Sequence, residues 1–284
     1  MAVRARGAVG ESGAGGGRAG ETIVGAIVAR KRAEIAALLR APGREAVRRA
    51  AAAMPPPAPF VARLRRPDRI AVIAEFKRAS PRVAAIRRGA DPVELVLRYR
   101  AAGADAVSVL TDAAFDGTLG DLRRAHAADP HTALLRKDFL LDPIQVDEAR
   151  AAGASAVLLI AALLDGGALD ELCAAARDAG LEALVEVHDE AEVARALAAG
   201  APAIGVNHRD LRTFAVDLGL SARLRPLVPA DVPVVAESGL RVAADVARCR
   251  AARCDAVLVG EALMAASDPG AALRALLGEA ELVP

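Results

Sequence analysis

A (β/α)8 TIM barrel with an extra N-terminal helical segment is the fold that this sequence predicts, on three observations. A join of helix end, glycine and apolar run recurs as RAAGADAVSVL at 100–110, RAAGASAVLLI at 150–160 and LAAGAPAIGV at 197–206. Eight apolar, strand-like runs alternate with amphipathic helical stretches along the chain. These units fill roughly 215 residues, close to what such a barrel needs.

Taken in order, residues 1–20 lack the apolar h-region of a signal peptide and read as a flexible tail. ETIVGAIVARKRAEIAALLR then reads as a helix, and Pro55, Pro56 and Pro57 break the chain before FVARLRRP. This extension, about 21–66, is expected to pack over one barrel mouth as part of a single domain spanning 21–284. The strands are expected at 70–77, 105–110, 132–139, 155–160, 181–187, 202–207, 232–237 and 255–260. Between them, DPVELVLRYRAAG and DPIQVDEARAAG each open with Asp-Pro, as helix starts do, and close on a Gly where a left-handed residue belongs. DAGLEALVEV at 178–187 and RCDAVLVG at 253–260 are variants of the same join. A doubly wound sheet is the rival architecture, but no Gly-rich dinucleotide turn follows the first strand.

Composition narrows the function. With 284 residues and 54% hydrophobic content the chain buries a large core, built from aliphatic side chains because aromatics are only 2%. A net charge of +1 gives no support to a nucleic-acid or anionic-membrane partner, so an anionic substrate must be held by local groups. Cys173, Cys249 and Cys254 are odd in number and widely spaced, which reads as reduced thiols in a cytoplasmic protein. No run approaches the roughly 18 to 20 unbroken apolar residues of a membrane span.

The basic residues carry the strongest chemical signal. Only three of 37 are lysine, and Lys77 and Lys137 end the strand-like runs IAVIAEFK and TALLRK. In a chain that otherwise writes positive charge as arginine, such a lysine points to an ammonium that gives up a proton, its pKa lowered by burial or neighbouring charge. Side chains alternate along a strand, so Ile73, Glu75 and Lys77 share one face. The same rule pairs Leu135 with Lys137, Leu184 with Glu186, Gly205 with Asn207 and Val235 with Glu237. Strand ends thus deliver two lysines, three glutamates and an asparagine to one mouth, where the charges compensate one another and shift one another's pKa. Glu237-Ser238-Gly239 and Gly260 end the last two strands, whose loops form the usual phosphate pocket of such barrels.

Seven segments, AEFKRASP (74–81), SVLTD (108–112), LLRKDFLLD (134–142), LVEVHDE (184–190), IGVNHRDL (204–211), VAESGL (235–240) and VLVGEALM (257–264), resemble the indole-3-glycerol phosphate synthase family of tryptophan biosynthesis. The resemblance runs in order from about residue 22 to the C-terminus. It implies conversion of 1-(o-carboxyphenylamino)-1-deoxyribulose 5-phosphate into indole-3-glycerol phosphate, with release of CO2 and water and no metal or organic cofactor. By the same resemblance Lys137 is the acid at the substrate's ketone oxygen, and Glu186 handles proton transfer in dehydration with help from Lys77. Glu75, Asn207 and Glu237 orient these groups and bind sugar hydroxyls. Ser238, Gly239 and Gly260 fall at the phosphate, Phe115 and Phe139 at the anthranilate ring, and Ser80 and Arg209 among the substrate-binding positions. The implied partner is a phosphorylated small molecule, not nucleic acid or membrane; association with other tryptophan-pathway enzymes is not addressed by any motif.

The chain departs from the family pattern where Ser80-Pro81 continues as Arg82-Val83-Ala84 instead of Ser-Lys-Gly, and it is one residue shorter before Phe115. His208 stands where the family often has Asn and is expected to be structural. His188 is expected to cap the turn after Glu186, and His126 and His131 to be solvated in a helix-to-strand connection. These histidines have no metal-ligand spacing with one another or with the cysteines. Two other readings stand beside the synthase: a Schiff-base aldolase-type barrel using Lys137 as nucleophile, and a non-catalytic barrel that binds phosphorylated ligands.

Overall fold

The computed structural model describes residues 15–40, 42–80 and 85–278. Eight parallel strands close in sequence order, β1 (Ala71–Phe76), β2 (Ala106–Leu110), β3 (Leu134–Lys137), β4 (Ala156–Ile160), β5 (Glu182–Val187), β6 (Ala203–Asn207), β7 (Val234–Glu237) and β8 (Ala256–Val259). Helices α1 (Gly15–Leu38) and α2 (Gly43–Ala52) precede the barrel. The outer helices are α3 (Pro92–Ala101), α4 (Leu119–Ala128), α5 (Pro143–Ala151), α6 (Gly166–Asp178), α7 (Glu190–Ala198), α8 (Leu220–Leu224), α9 (Ala243–Ala251), α10 (Glu261–Ala265) and α11 (Pro269–Leu277). All eight expected strands are present, trimmed by a residue or two at their ends.

Alternation along the strands sorts the core into two clusters. Val72, Ala74, Val107, Val109, Val185, Val187, Val257 and Val259 face the helices, while Ile73, Leu135, Leu158, Leu184, Val235 and Leu258 fill the barrel. Asp91 and Asp142 cap α3 and α5, each accepting from the backbone N–H two residues on, with Pro at the first helical position. At the helix-to-strand joins Gly103 takes φ +93°, as expected; in the variant join Arg253 takes φ +61°, a conformation that costs a side-chain residue about 1 kcal/mol.

The N-terminal extension reaches both ends of the barrel, not one mouth as expected. At the C-terminal end of the strands, Ile23, Val24 and Ile27 of α1 border the central cavity. Nearby Lys31 is buried against Asp112 at 3.0 Å and Asp138 at 2.8 Å. The chain then descends along α5: α2 packs against it, and the Arg150 guanidinium donates to the carbonyls of Met54 and Pro55. At the other end, Ala71, Ala106, Ala133, Ala156, Ala203 and Ala256 form a ring of small inner residues, and Phe60 and Leu64 join their cluster fully buried. Small side chains around this floor leave the volume that the phenyl and isobutyl groups occupy. Glu182, at the start of β5, locks the plug by accepting from the backbone N–H groups of Phe60 at 2.6 Å and Val61 at 2.8 Å.

Six residues of the expected tail, 15–20, are helical, and residues 1–14 lie outside the described part, as do Arg82, Val83 and Ala84 of the departing loop. No helix among the described residues is long and apolar enough to cross a membrane. All three cysteines are buried and unpaired, and burial pushes Cys173 and Cys254 up to about 11 and Cys249 up to about 12, leaving them unreactive near neutrality. His131 is exposed as expected, but His126 belongs to α4 and packs half-buried against Gly153, where any Cβ would collide with its ring.

Glu182→Ala strands two backbone donors at the plug and is expected to lower unfolding free energy by about 2 kcal/mol. Urea denaturation measures it; an unchanged midpoint would contradict the account of the plug.

Candidate active site

The late inner positions of the strands converge on a cavity of about 560 Å³ at their C-terminal ends. Its walls include Glu75, Lys77, Ser80, Phe115, Lys137, Phe139, Glu186, Asn207, Arg209, Ser238, Gly239 and Gly260. Of the residues selected from the sequence, only Glu237 is absent from the wall, because it lies beneath, almost wholly buried against Lys137.

Lys137 Nζ sits 2.5 Å from Glu237 Oε2 and 3.3 Å from Glu186 Oε2. Asn207 Nδ2 donates to Glu186 Oε1 at 2.9 Å, and Asn207 Oδ1 accepts from the Arg209 backbone N–H at 3.0 Å. Lys77 Nζ pairs with Glu75 Oε1 at 3.1 Å. The glycines make this crowding possible: a Cβ on Gly205 would press into the Glu237 carboxylate, and one on Gly260 into that of Glu75. Glu75 Oε2 and Glu237 Oε1 are buried without a hydrogen-bond partner among the described residues, so each retains acceptor capacity.

Electrostatics reverse one expectation. Burial alone would lower the Lys137 pKa, but the carboxylates of Glu237, Glu186 and Glu75 outweigh it and hold the ammonium above its ordinary value. The surrounding charges therefore hold the proton on Lys137 more tightly than on an ordinary lysine. Burial likewise acts to raise Glu186, yet Lys137, His188 and the Asn207 hydrogen bond keep it below the usual carboxylate range. For Glu237 burial prevails, with help from the Glu186 and Glu75 charges, and its pKa is pushed up to about 7. One ammonium flanked by an ionised carboxylate and a carboxyl near its midpoint can donate a proton at one atom while a base stands beside it.

The turn after β7 is built for close backbone approach. Ser238 takes φ +66° and Gly239 φ +79°, and a Cβ at Gly239 would press on Val216. His208 supports this turn as expected: its side chain is buried away from the cavity, with Nε2 2.6 Å from Ser221 Oγ and Nδ1 3.1 Å from the Ser238 carbonyl. Phe115 and Phe139 stack with centroids 6.3 Å apart, giving one flank of the cavity an aromatic lining.

Some of the wall was not foreseen. Ile23, Val24 and Ile27 come from α1, and Leu211 and Phe214 from the segment after β6. Phe214 is one of five phenylalanines in the chain, and three of them line this cavity, a concentration that the scarcity of aromatics could have flagged. His188 is also misplaced by the expectation of a cap, since Asp189 caps α7 and the His188 ring lies between Glu186 and Glu192. No group of His, Cys, Asp and Glu suited to a metal ion occurs among the described residues.

Comparison with known proteins agrees with the motif resemblance. The family model for indole-3-glycerol phosphate synthase matches residues 24–276. An indole-3-glycerol phosphate synthase of Opitutus terrae is 50% identical over 251 residues, covering 86% of this chain and 94% of that protein. Indole-3-glycerol phosphate synthase 2 of Streptomyces coelicolor is 52% identical over 229 residues, covering 80% and 88%. Among solved structures, a 3-hexulose-6-phosphate synthase superposes with TM-score 0.56 at 17% identity, covering 74% of this chain and 99% of that one. A mandelate oxidase mutant superposes with TM-score 0.59 at 20% identity, covering 73% and 71%; both likenesses concern the fold alone.

Glu237 binds more protons in the folded than in the unfolded chain between its ordinary 4.5 and about 7, so its contribution to stability falls as pH rises through that window. Glu237→Gln is expected to flatten the pH dependence of unfolding free energy between pH 5 and 7, measured in urea at fixed salt. A slope equal to that of the parent chain would contradict the assignment of the buried proton.

Proposed function

The chain belongs to the indole-3-glycerol phosphate synthase family, and we infer that the Lys137 cluster closes the indole ring. The protein is a carboxy-lyase of tryptophan biosynthesis, converting 1-(o-carboxyphenylamino)-1-deoxyribulose 5-phosphate into indole-3-glycerol phosphate. The ammonium of Lys137, wedged between Glu186 and Glu237, is the observation that carries the assignment of roles.

In this reading the phosphate rests on the turn of Ser238 and Gly239 and on Gly260, where backbone N–H groups and small side chains allow close approach. The anthranilate ring lies along Phe115 and Phe139 under α1. Lys77 meets its carboxylate, while Ser80 and Arg209 complete the grip on the substrate. Lys137 gives its proton to the ketone oxygen as the carboxylate-bearing ring carbon attacks the carbonyl carbon. Loss of CO2 then returns the bonding electrons to the ring and restores its aromaticity. The new hydroxyl departs as water on taking a proton from Lys77, and Glu186 takes the proton released as the indole double bond forms. Asn207 and Glu237 fix the geometry of the acid and base, and Glu75 and Glu237 accept sugar hydroxyls.

The raised Lys137 pKa weighs against the Schiff-base alternative, which requires a free amine. The non-catalytic alternative is disfavoured because a binding site alone has no use for three buried carboxylates around one ammonium.

Mixing the chain with its anthranilate-derived substrate should produce a rise in indole fluorescence. Lys137→Ala should cut kcat by about 10²- to 10⁴-fold or more. Substrate binding without any fluorescence rise in the parent chain would move the assignment to the binding-only barrel, and borohydride trapping of Lys137 would support the Schiff base.

A further inference from the structure

Glu186 and His188 lie two residues apart and so project to the same side of the chain. The His188 ring faces Glu186 Oε1 with Nε2 at 3.6 Å, on the oxygen that also accepts from Asn207. That Nε2 is buried without a hydrogen-bond partner among the described residues. Its other nitrogen, Nδ1, stands 3.2 Å from Glu192 Oε2, and the same oxygen accepts from the His188 backbone N–H at 2.7 Å. One carboxylate at the start of α7 therefore fixes both the main chain and the ring. An imidazole with a carboxylate at each nitrogen is satisfied at both only when each nitrogen carries a proton, because a neutral ring would turn a lone pair towards one of them.

We propose that His188, clamped by Glu192, is a positioning residue that holds Glu186 Oε1 by charge, as an ion pair beside the hydrogen bonds from Asn207 and Lys137. The proposal rests on the reading of Glu186 as the proton-transfer group. Two donors and an adjacent imidazolium leave Glu186 few rotamers and keep it ionised as a base. The groups facing the ring are Glu186 on β5, Glu192 on α7 and Glu237 on β7, with Lys137 of β3 beyond Glu186. Arg195 of α7 is directed to the Ala161 carbonyl instead. Burial opposes the charge on the ring, but the three carboxylates outweigh it and raise the His188 pKa. The charge is therefore kept through the ordinary imidazole midpoint and is lost only as pH rises through the raised value.

Two readouts test the clamp. Ring ¹⁵N NMR of the four histidines, in the chain without substrate, should show His188 titrating above the ordinary imidazole midpoint of 6.5, and at lower pH in Glu192→Gln or Glu186→Gln than in the parent. The kcat–pH profile of His188→Gln should have its acid limb displaced upward by about one pH unit, as Glu186 loses a neighbouring positive charge. KM should change less than about twofold, since His188 is not among the residues that line the cavity. Should His188→Gln fail to fold, His188→Asn carries the kinetic test with the same upward displacement, because it too removes the ring's charge. A His188 titration unmoved by either glutamine substitution would overturn the clamp. A variant profile that matches the parent's after uniform scaling would overturn the role. The NMR arm does not depend on turnover, so failure of the synthase reading would show separately, as no fluorescence from the parent chain.

Discussion

The contact of the Lys137 ammonium with the carboxylates of Glu186 and Glu237 is the interaction on which the barrel mouth depends. Three glutamates reach this mouth from β1, β5 and β7 with almost no access to solvent. Two lysines and an asparagine at the strand ends answer them, with His188 just beyond β5. Removing the central cation would leave buried carboxylates uncompensated, a far larger penalty than losing an exposed ion pair. Gly205 and Gly260 belong to the same design, since side chains there would take the space that the carboxylates fill. Arginine would not serve in place of Lys137: its fork is larger, and its delocalised guanidinium gives up a proton less readily than an ammonium does.

Around this centre the N-terminal extension acts as roof and floor at once. Lys31, the third lysine of the chain, joins α1 to Asp112 after β2 and to Asp138, the residue that follows Lys137. Burial works to raise the Asp138 pKa, but Arg136 and Lys31 outweigh it and hold the group at about 2. The roof is thus pinned by an ion-pair network one residue from the proposed acid. Beneath, Phe60 and Leu64 complete a floor that six inner alanines leave open. Roof and floor come from one segment running down α5, so the extension cannot be removed without exposing both ends of the inner core.

Much of this was legible in the sequence because strand alternation is strict. Once the eight strands were placed, period two put Glu75, Lys137, Glu186, Asn207 and Glu237 on inner faces, and a one- or two-residue error at strand ends did not matter. The Asp-Pro starts of α3 and α5 were equally secure, since capping is local chemistry. Other features depend on partners far away in the chain. Lys31 meets Asp112 and Asp138 across more than seventy residues, and no periodicity announces such a pair. The floor plug needs the alanine ring to be closed before its volume is visible. The sign of the Lys137 shift depends on how many carboxylates surround it, which strand faces alone do not weigh against burial. His188 was within reach of the alternation rule, two residues beyond Glu186, but it lies just past the end of β5.

The scarcity of lysine offers the most direct test of the central contact. With lysine labelled at ¹³Cε, the chain gives three signals, assignable by substitution and followed against pH by NMR. Lys137 is expected to keep the ammonium chemical shift through the ordinary lysine midpoint of 10.5, because its carboxylate neighbours outweigh its burial. A Lys137 signal that titrates below about pH 8 would mean that desolvation prevails and that the site begins with a nearly free amine, contradicting the account.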